Sequence, residues 1–372
     1  MAGIYLHIPF CKQACHYCDF HFSTSLRYRS EVVEAMVQEL ELQKGYLQGA
    51  PLESIYFGGG TPSLLGQEEL NRLFDKIHEL HPVKPDAEIT LEANPDDLTV
   101  EKLTQLQQTP VNRLSIGIQS FSEADLKYMN RAHDASEASA CIELAQAAGF
   151  NNLTIDLIYG SPTTSHAQWA ENIQQVLDYD IPHISCYCLT VEPKTALAHF
   201  VATGQSKPVD DVQAAQQFQY LMAQLSKAGY EHYEISNFAK PGKYAVHNSN
   251  YWLGKHYLGI GPSAHSYNGQ SRQWNIANNS KYRKALAANE LAFEIEFLDA
   301  EQRYNELVMT RLRTTWGVHL SDLDAKYQEY FAQQMAPFVE AGQVLHQAGH
   351  YVLSPAGRLL ADRIAMEAFW ST

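Results

Sequence analysis

Six short apolar runs, each separated from the next by a longer stretch of helical pattern, constrain this chain more than any other feature. They are "IYLHI" from Ile4, "SIYF" from Ser54, "EITLEA" from Glu88, "RLSIGI" from Arg113, "LTIDLIYG" from Leu153 and "HISCYCL" from His183. The helical stretches carry recognisable ends: "SEVVEAMVQELELQKGYL" opens on Ser30, and "SEASACIELAQAAGF" opens on Ser136 and closes at Gly149. Strands that alternate with helices form parallel βα units. Six such units by about residue 190 predict an α/β fold built on a partial (β/α)6 barrel rather than a flat open sheet.

In a barrel the loops that follow the strands share one face, so chemistry should collect at strand ends. Polar features do fall there. A cysteine cluster follows the first strand, "GGGTP" (Gly58 to Pro62) follows the second, Glu92 ends the third, Gln119 ends the fourth, and Asp156 lies on the fifth. The glycines of GGGTP let main-chain groups approach a ligand closely. The stretch lacks the Gly-Lys-Ser/Thr ending of a Walker loop.

The cysteine cluster is "CKQACHYC", which sets Cys11, Cys15 and Cys18 at CxxxCxxC spacing. Six cysteines in 372 residues are too sparse for a disulfide framework, and three within eight residues point to a thiolate metal site in a reducing compartment. Cys141, Cys186 and Cys188 sit in apolar-rich patterns and read as small core residues. Three soft thiolates suit zinc or an iron–sulfur cluster. A closed zinc site needs a fourth ligand, which His7, His16 or His21 could supply. A cluster with one iron left open would also give the other strand-end groups a ligand to bind.

At these residues the chain resembles the radical S-adenosylmethionine (SAM) superfamily, whose signature is CxxxCxxC with an aromatic beside the last cysteine, here Tyr17 before Cys18. The resemblance implies a 4Fe-4S cluster on Cys11, Cys15 and Cys18, with the fourth iron taken by the amino and carboxylate groups of SAM. Further blocks, "YLHIPFCKQACHYC", "YFGGGTP", "LEANPD", "GIQSF", "MNRAHD" and "IDLIYG", look like the oxygen-independent coproporphyrinogen III oxidase family over nearly the whole chain. Carried over from that family, Tyr5, Gly59, Gly60, Thr61, Glu92, Gln119, Arg131 and Asp156 fall on SAM-contacting positions, and Tyr17 on an aromatic one. The residue types suit those roles: Arg131 could hold a carboxylate, and Asp156 and Gln119 could bond ribose hydroxyls.

Two departures separate the chain from the oxidases. Their motif continues as CxxxCxxCxC, whereas Phe20 stands in the final cysteine's place here, and they carry an N-terminal extension before a cluster loop that begins here at residue 11. Both departures match the heme chaperones related to that family, as does an HNxxYW motif formed by His247, Asn248, Tyr251 and Trp252. The resemblance then implies a heme chaperone dependent on the cluster and SAM, with His247 as a heme ligand. Its partners would be heme and client hemoproteins, with membrane-bound clients and a homodimer left open. Imidazole is a common axial ligand of heme iron, and Tyr and Trp offer flat apolar surface to a porphyrin. The residues alone also allow a turn in which His247 and Asn248 satisfy backbone groups while Tyr251 and Trp252 pack. Radical decarboxylation of porphyrinogen propionates is the alternative activity.

The expected organisation is a radical SAM partial barrel over 1–238, a connecting region with the HNSNYW stretch over 239–298, and a small, mostly helical, winged-helix-like module over 299–372. From about Tyr230 the pattern turns irregular, and "GIGPSAHSY" (Gly259 to Tyr267) reads as turn-rich. The last module holds 6 Lys and Arg against 9 Asp and Glu, which disfavours DNA binding. The whole chain, with 27 basic against 42 acidic residues, has a net charge of −15, the wrong sign for a partner to nucleic acid. No apolar run approaches the length of a membrane span, and "MAGIYLHIPF" has neither a basic start nor a cleavage site, so the chain is read as cytoplasmic.

Overall fold

The computed structural model describes residues 1–371. The six expected strands are β1 (Ala2–Ile8), β2 (Leu52–Gly59), β3 (Val83–Ala93), β4 (Arg113–Gln119), β5 (Leu153–Tyr159) and β6 (His183–Cys188), each parallel to the next in chain order. Parallel strands are covered on both faces and so need near-continuous apolar runs. All seven residues of β4 are buried, as that rule requires. Helices Arg29–Leu42, Gln67–Leu80, Val100–Leu106, Ala135–Ala147 and His166–Asp178 form the crossovers. The one expected to open on Ser136 is capped earlier, by Asp134, whose carboxylate accepts from the Glu137 amide (2.8 Å) while Glu137 accepts from the Asp134 amide (3.0 Å).

The sheet is longer than six strands. Beside β6 lie the antiparallel β7 (Glu231–Glu234) and β8 (Asn237–Ala239), with β8 innermost. On the other side, β9 (His256–Ile260) pairs parallel to β1, followed by the antiparallel β10 (His265–Tyr267), β11 (Ser271–Asn275) and β12 (Phe293–Phe297). The stretch read as irregular from about Tyr230 therefore supplies half of a 12-stranded sheet. These strands are three to five residues long, too short to show a periodicity. The HNSNYW stretch, for which the residues alone also allowed a turn, is a seven-residue helix, Val246–Trp252.

Side chains from all six parallel strands line one cavity of about 490 Å³. In a flat sheet, with strands about 4.8 Å apart, the first and sixth would stand about 24 Å from each other. The parallel strands must therefore curl around a shared interior, as a partial barrel does.

The C-terminal module has a core of its own, centred on Val308, Leu312, Tyr327, Phe331, Met335 and Ile364. It comprises helices Ala300–Leu312 and Ala325–Glu340, a small sheet of β13 (Val318–His319), β14 (Val344–Gln347) and β15 (His350–Leu353), and two short helices, Pro355–Arg358 and Ala361–Glu367. Two backbone bonds tie it to the end of β7: Ile235 donates to the Arg313 carbonyl (3.1 Å), and Thr315 to that of Tyr233 (2.8 Å). No helix among the described residues is long and apolar enough to cross a membrane.

Candidate functional site

The loop carrying the three clustered cysteines leaves the end of β1 and lies against the glycine loop after β2. Gly60 donates to the Ile8 carbonyl (2.9 Å) and Thr61 to that of Phe10 (2.7 Å). A Cβ on Gly60 would stand 2.6 Å from both the Ile8 and Phe10 carbonyl oxygens, so no other residue fits there without moving the backbone. Gly59 has φ +101°, and a Cβ on it would meet the His7 ring at 2.5 Å. The glycines are thus required by close approach to the cysteine loop as well as by the turn itself.

Cys11, Cys15 and Cys18 are free thiols of intermediate exposure. Burial pushes the Cys18 thiol up to about 11 and raises that of Cys11, so ligation there would release protons. Arg131 donates through Nη1 to Cys15 Sγ (3.2 Å) and through Nη2 to Asn94 Oδ1 (2.7 Å) and the Gly117 carbonyl (2.8 Å). Its Nε is buried with no partner among the described residues. Asn94 also donates to Thr61 Oγ1 (3.2 Å), which joins the glycine loop to Arg131. Gln119 ends β4 with a left-handed φ of +67°, where the β4–β5 register slips between Ile116 and Gln119. A Cβ on Gly117 would lie 2.9 Å from Gln119 Nε2 and 3.2 Å from Arg131 Nη2, so that glycine makes room for both side chains. Tyr17 packs against Met129, Ile158, Leu189 and Leu197, and burial raises its phenol.

Of the histidines that could complete a zinc site, His7 has both ring nitrogens bonded, and His16 and His21 are each held on one. His7 shares hydrogen bonds with the His21 carbonyl (2.8 Å) and Tyr5 OH (3.3 Å), His16 with the Tyr128 carbonyl (2.9 Å), and His21 with Asn279 Oδ1 (2.7 Å). Among the described residues no three His, Cys, Asp or Glu side chains gather as a metal site. Three thiols, with a guanidinium against the middle one and a glycine platform beside them, are the donor set that a three-cysteine cluster with an open fourth position would use.

The remaining site residues face the barrel interior. Glu92 accepts from Tyr56 OH (2.7 Å) and from the Gly59 amide (3.1 Å), and burial pushes its carboxyl up to about 7. Asp156 accepts from Ser115 Oγ (3.4 Å) and is pushed by burial up to about 6. Tyr5, Glu92, Asp156 and His247 line the 490 Å³ cavity, together with Phe20, which is 66% exposed. The three cysteines, Thr61, Gln119 and Arg131 do not line it. The expected residues therefore sort into a set around the cysteine loop and a set around the cavity, and the Gly59–Glu92 bond joins the two.

His247 enters the cavity from the short helix Val246–Trp252. Its Nδ1 is 2.9 Å from Ser54 Oγ, and its ring stacks on Tyr56 (5.1 Å, 28°) and Tyr5 (6.2 Å, 30°). The first amides of the helix, Val246 and His247, donate to Glu88 Oε2 (2.8 Å) and Oε1 (3.0 Å). Glu88 is buried 3.8 Å from Arg113, whose guanidinium also donates to Thr90 (3.2 Å) and Thr154. Burial holds the His247 imidazole down to about 4, so it is neutral at pH 7. Asn248 donates to Tyr233 OH (3.1 Å). The backbone is thus served by Glu88, while the His247 and Asn248 side chains bond other side chains.

Sequence reasoning missed Ser54, Tyr56, Glu88, Arg113, Ser115 and Tyr187. Their signal was present as a period of two inside the apolar runs: Ser54 and Tyr56 on β2, Glu88, Thr90 and Glu92 on β3, Arg113 and Ser115 on β4, His183, Ser185 and Tyr187 on β6. Alternate residues of a strand share a face, so these polar positions all fall on the inner side.

The radical SAM superfamily model matches residues 5–176, and the HemN C-terminal domain model matches residues 298–360. The E. coli coproporphyrinogen III oxidase HemN, a radical SAM enzyme, shares the fold with a TM-score of 0.85 at 24% identity, over 99% of this chain and 90% of its own. The heme chaperone HemW of Mycobacterium tuberculosis H37Rv is 35% identical over 97% of this chain and 93% of its own length. That of Bacillus subtilis is 33% identical over 98% of both, and that of Escherichia coli 39% identical over 71% of this chain and 69% of its own. With a radical SAM fold, a HemN-type C-terminal domain and such identity along its length, the chain belongs to the HemW family of heme chaperones.

Proposed function

We propose that this chain binds heme in the barrel cavity through His247 and passes it to client hemoproteins in the cytoplasm, membrane-bound clients included. A 4Fe-4S cluster on Cys11, Cys15 and Cys18 and a SAM molecule beside it belong to the same reading. The observation that carries it is the state of His247. It is a neutral imidazole whose Nδ1 is occupied by Ser54, and its Nε2 has no protein partner among the described residues. Imidazole held on one nitrogen and free on the other is the form that ligates iron. Tyr5, Tyr56 and Tyr187 line the same cavity and supply flat apolar surface for a porphyrin.

When bound, the cluster and SAM would supply reductive radical chemistry. Around them Arg131 would orient the SAM carboxylate, Gln119 and Asp156 its ribose, and the Gly59–Gly60 backbone its polar end. Occupancy can be felt at the heme site because the contacts are continuous: the Gly59 amide and Tyr56 OH share Glu92, and the Tyr56 ring stacks on His247.

The test is an absorbance titration of heme into anaerobically reconstituted protein, wild type against His247→Ala. Saturable binding that the variant loses or spectrally alters is the expected result. No binding by wild type, or identical binding by both proteins, overturns the reading. Anaerobic turnover of coproporphyrinogen III with SAM and a reductant would replace it with the decarboxylase.

A further inference from the structure

The stretch "GIGPSAHSY", Gly259 to Tyr267, has no part in the site described so far. It runs from the end of β9 through a tight turn into β10. A Cβ on Gly259 would lie 2.0 Å from the His265 carbonyl oxygen, and one on Gly261, at φ +105°, 2.5 Å from that of His7. Ser263 takes a left-handed φ of +66° although it is not glycine. A buried carboxylate holds the turn in place: Glu39 accepts from the Gly261 amide (2.8 Å), Asn275 Nδ2 (2.6 Å), Tyr282 OH (2.5 Å) and Gln43 Nε2 (3.0 Å). Four neutral donors and no cation on a carboxylate 1% exposed are an expensive way to fix a turn. The turn presents Ser263 and His265 to the cavity that His247 also lines.

Five histidines line that cavity, and their ring nitrogens are not equally free. Both nitrogens of His183 are bonded, to Thr154 (3.0 Å) and Tyr233 (2.8 Å), as are both of His7. His21 is tied through Nε2 to Asn279 and lies over His7. His265 alone of the five has no hydrogen bond to either nitrogen among the described residues, yet its ring is not loose. It stacks on Trp274 (6.2 Å, 29°), its cross-strand partner in the β10–β11 hairpin. His247 packs at the Gly3 end of β1, and the His265 turn closes on His7, which lies about 13 Å further along the strand. The two imidazoles therefore line one cavity from different points along β1.

We propose that His265, on a turn that Glu39 anchors through the Gly261 amide, is the second imidazole ligand of the heme iron held by His247. This rests on the heme-binding reading above. Partial desolvation and the nearby Arg272 lower the basicity of the exposed His265 ring.

Ferric heme titrated into the anaerobically reconstituted full chain, followed by absorption and electron paramagnetic resonance, tests this. Wild type is expected to give a six-coordinate low-spin spectrum. His265→Ala and His265→Gln should both become high-spin and return to low-spin when free imidazole is added, whereas His21→Ala should stay low-spin. Circular dichroism and iron content of the variants should match wild type. Variants that keep the wild-type low-spin spectrum, or a wild type that is itself high-spin, overturn the role of His265 and leave heme binding through His247 standing. A wild type that takes up no heme overturns both.

Discussion

Glu92 joins the glycine loop to the cavity and does so at a cost that can be measured. Burial raises its carboxyl from 4.5 to about 7, so the folded protein favours the protonated form. The stability this gives is fully present below the unfolded value and is lost as pH rises through about 7. Glu92→Gln should therefore melt close to wild type at pH 5 and above it at pH 8, by about 2 °C or more. A difference that does not grow with pH would mean that the carboxyl titrates normally. Arg131 makes a different prediction. Lysine has one nitrogen where Arg131 uses two, Nη1 for Cys15 and Nη2 for Asn94 and Gly117, so Arg131→Lys should weaken SAM binding about tenfold in equilibrium dialysis. Reconstituted iron content should be unchanged, and loss of iron instead would make Arg131 a support of the cluster loop.

At the scale of elements, the helix Val246–Trp252 is seven residues long and cannot hold itself together. Its N-terminus depends on Glu88, which accepts both of its first amides and sits beside the buried Arg113. Glu88→Ala would remove the acceptor and leave Arg113 without a carboxylate, an expected loss of about 3 kcal/mol in urea denaturation. Heme affinity should fall with it. Glu88→Gln keeps one acceptor oxygen and should lie between. Stability lost with heme affinity intact would show that packing on Tyr5 and Tyr56 is enough to place His247.

The molecule as a whole has two principal cores, one along the sheet and one in the C-terminal module, and Ile235 packs against both. The few backbone bonds near β7 that join them predict partial independence. Phe331 is fully buried in the C-terminal core, so Phe331→Ala should cost about 3–5 kcal/mol. That loss should unfold the module first, visible as an early far-ultraviolet transition while the visible absorbance of a reconstituted cluster persists. A single transition for both signals would show that the cores fold as one unit.

The alternation of apolar runs and helical patterns determined the six βα units, because a strand buried on both faces must be apolar throughout and a crossover helix must be long enough to return. The CxxxCxxC spacing and the glycine loop were likewise local, and so was the polar period of two on β2, β3, β4 and β6. What the tertiary structure alone decided is which distant residues share a surface. β9 lies beside β1 although some 250 residues separate them, Gly261 is held by Glu39 from 222 residues away, and Ser54 meets His247 from 193. Short strands take their register from partners, and buried carboxylates such as Glu39 and Glu88 take their purpose from amides that reach them only when the sheet has curled. No local pattern carries that information: the period of two marks Glu88 as inward-facing but not as the acceptor for the helix that carries His247, and nothing in GIGPSAHSY shows that His265 lines the same cavity.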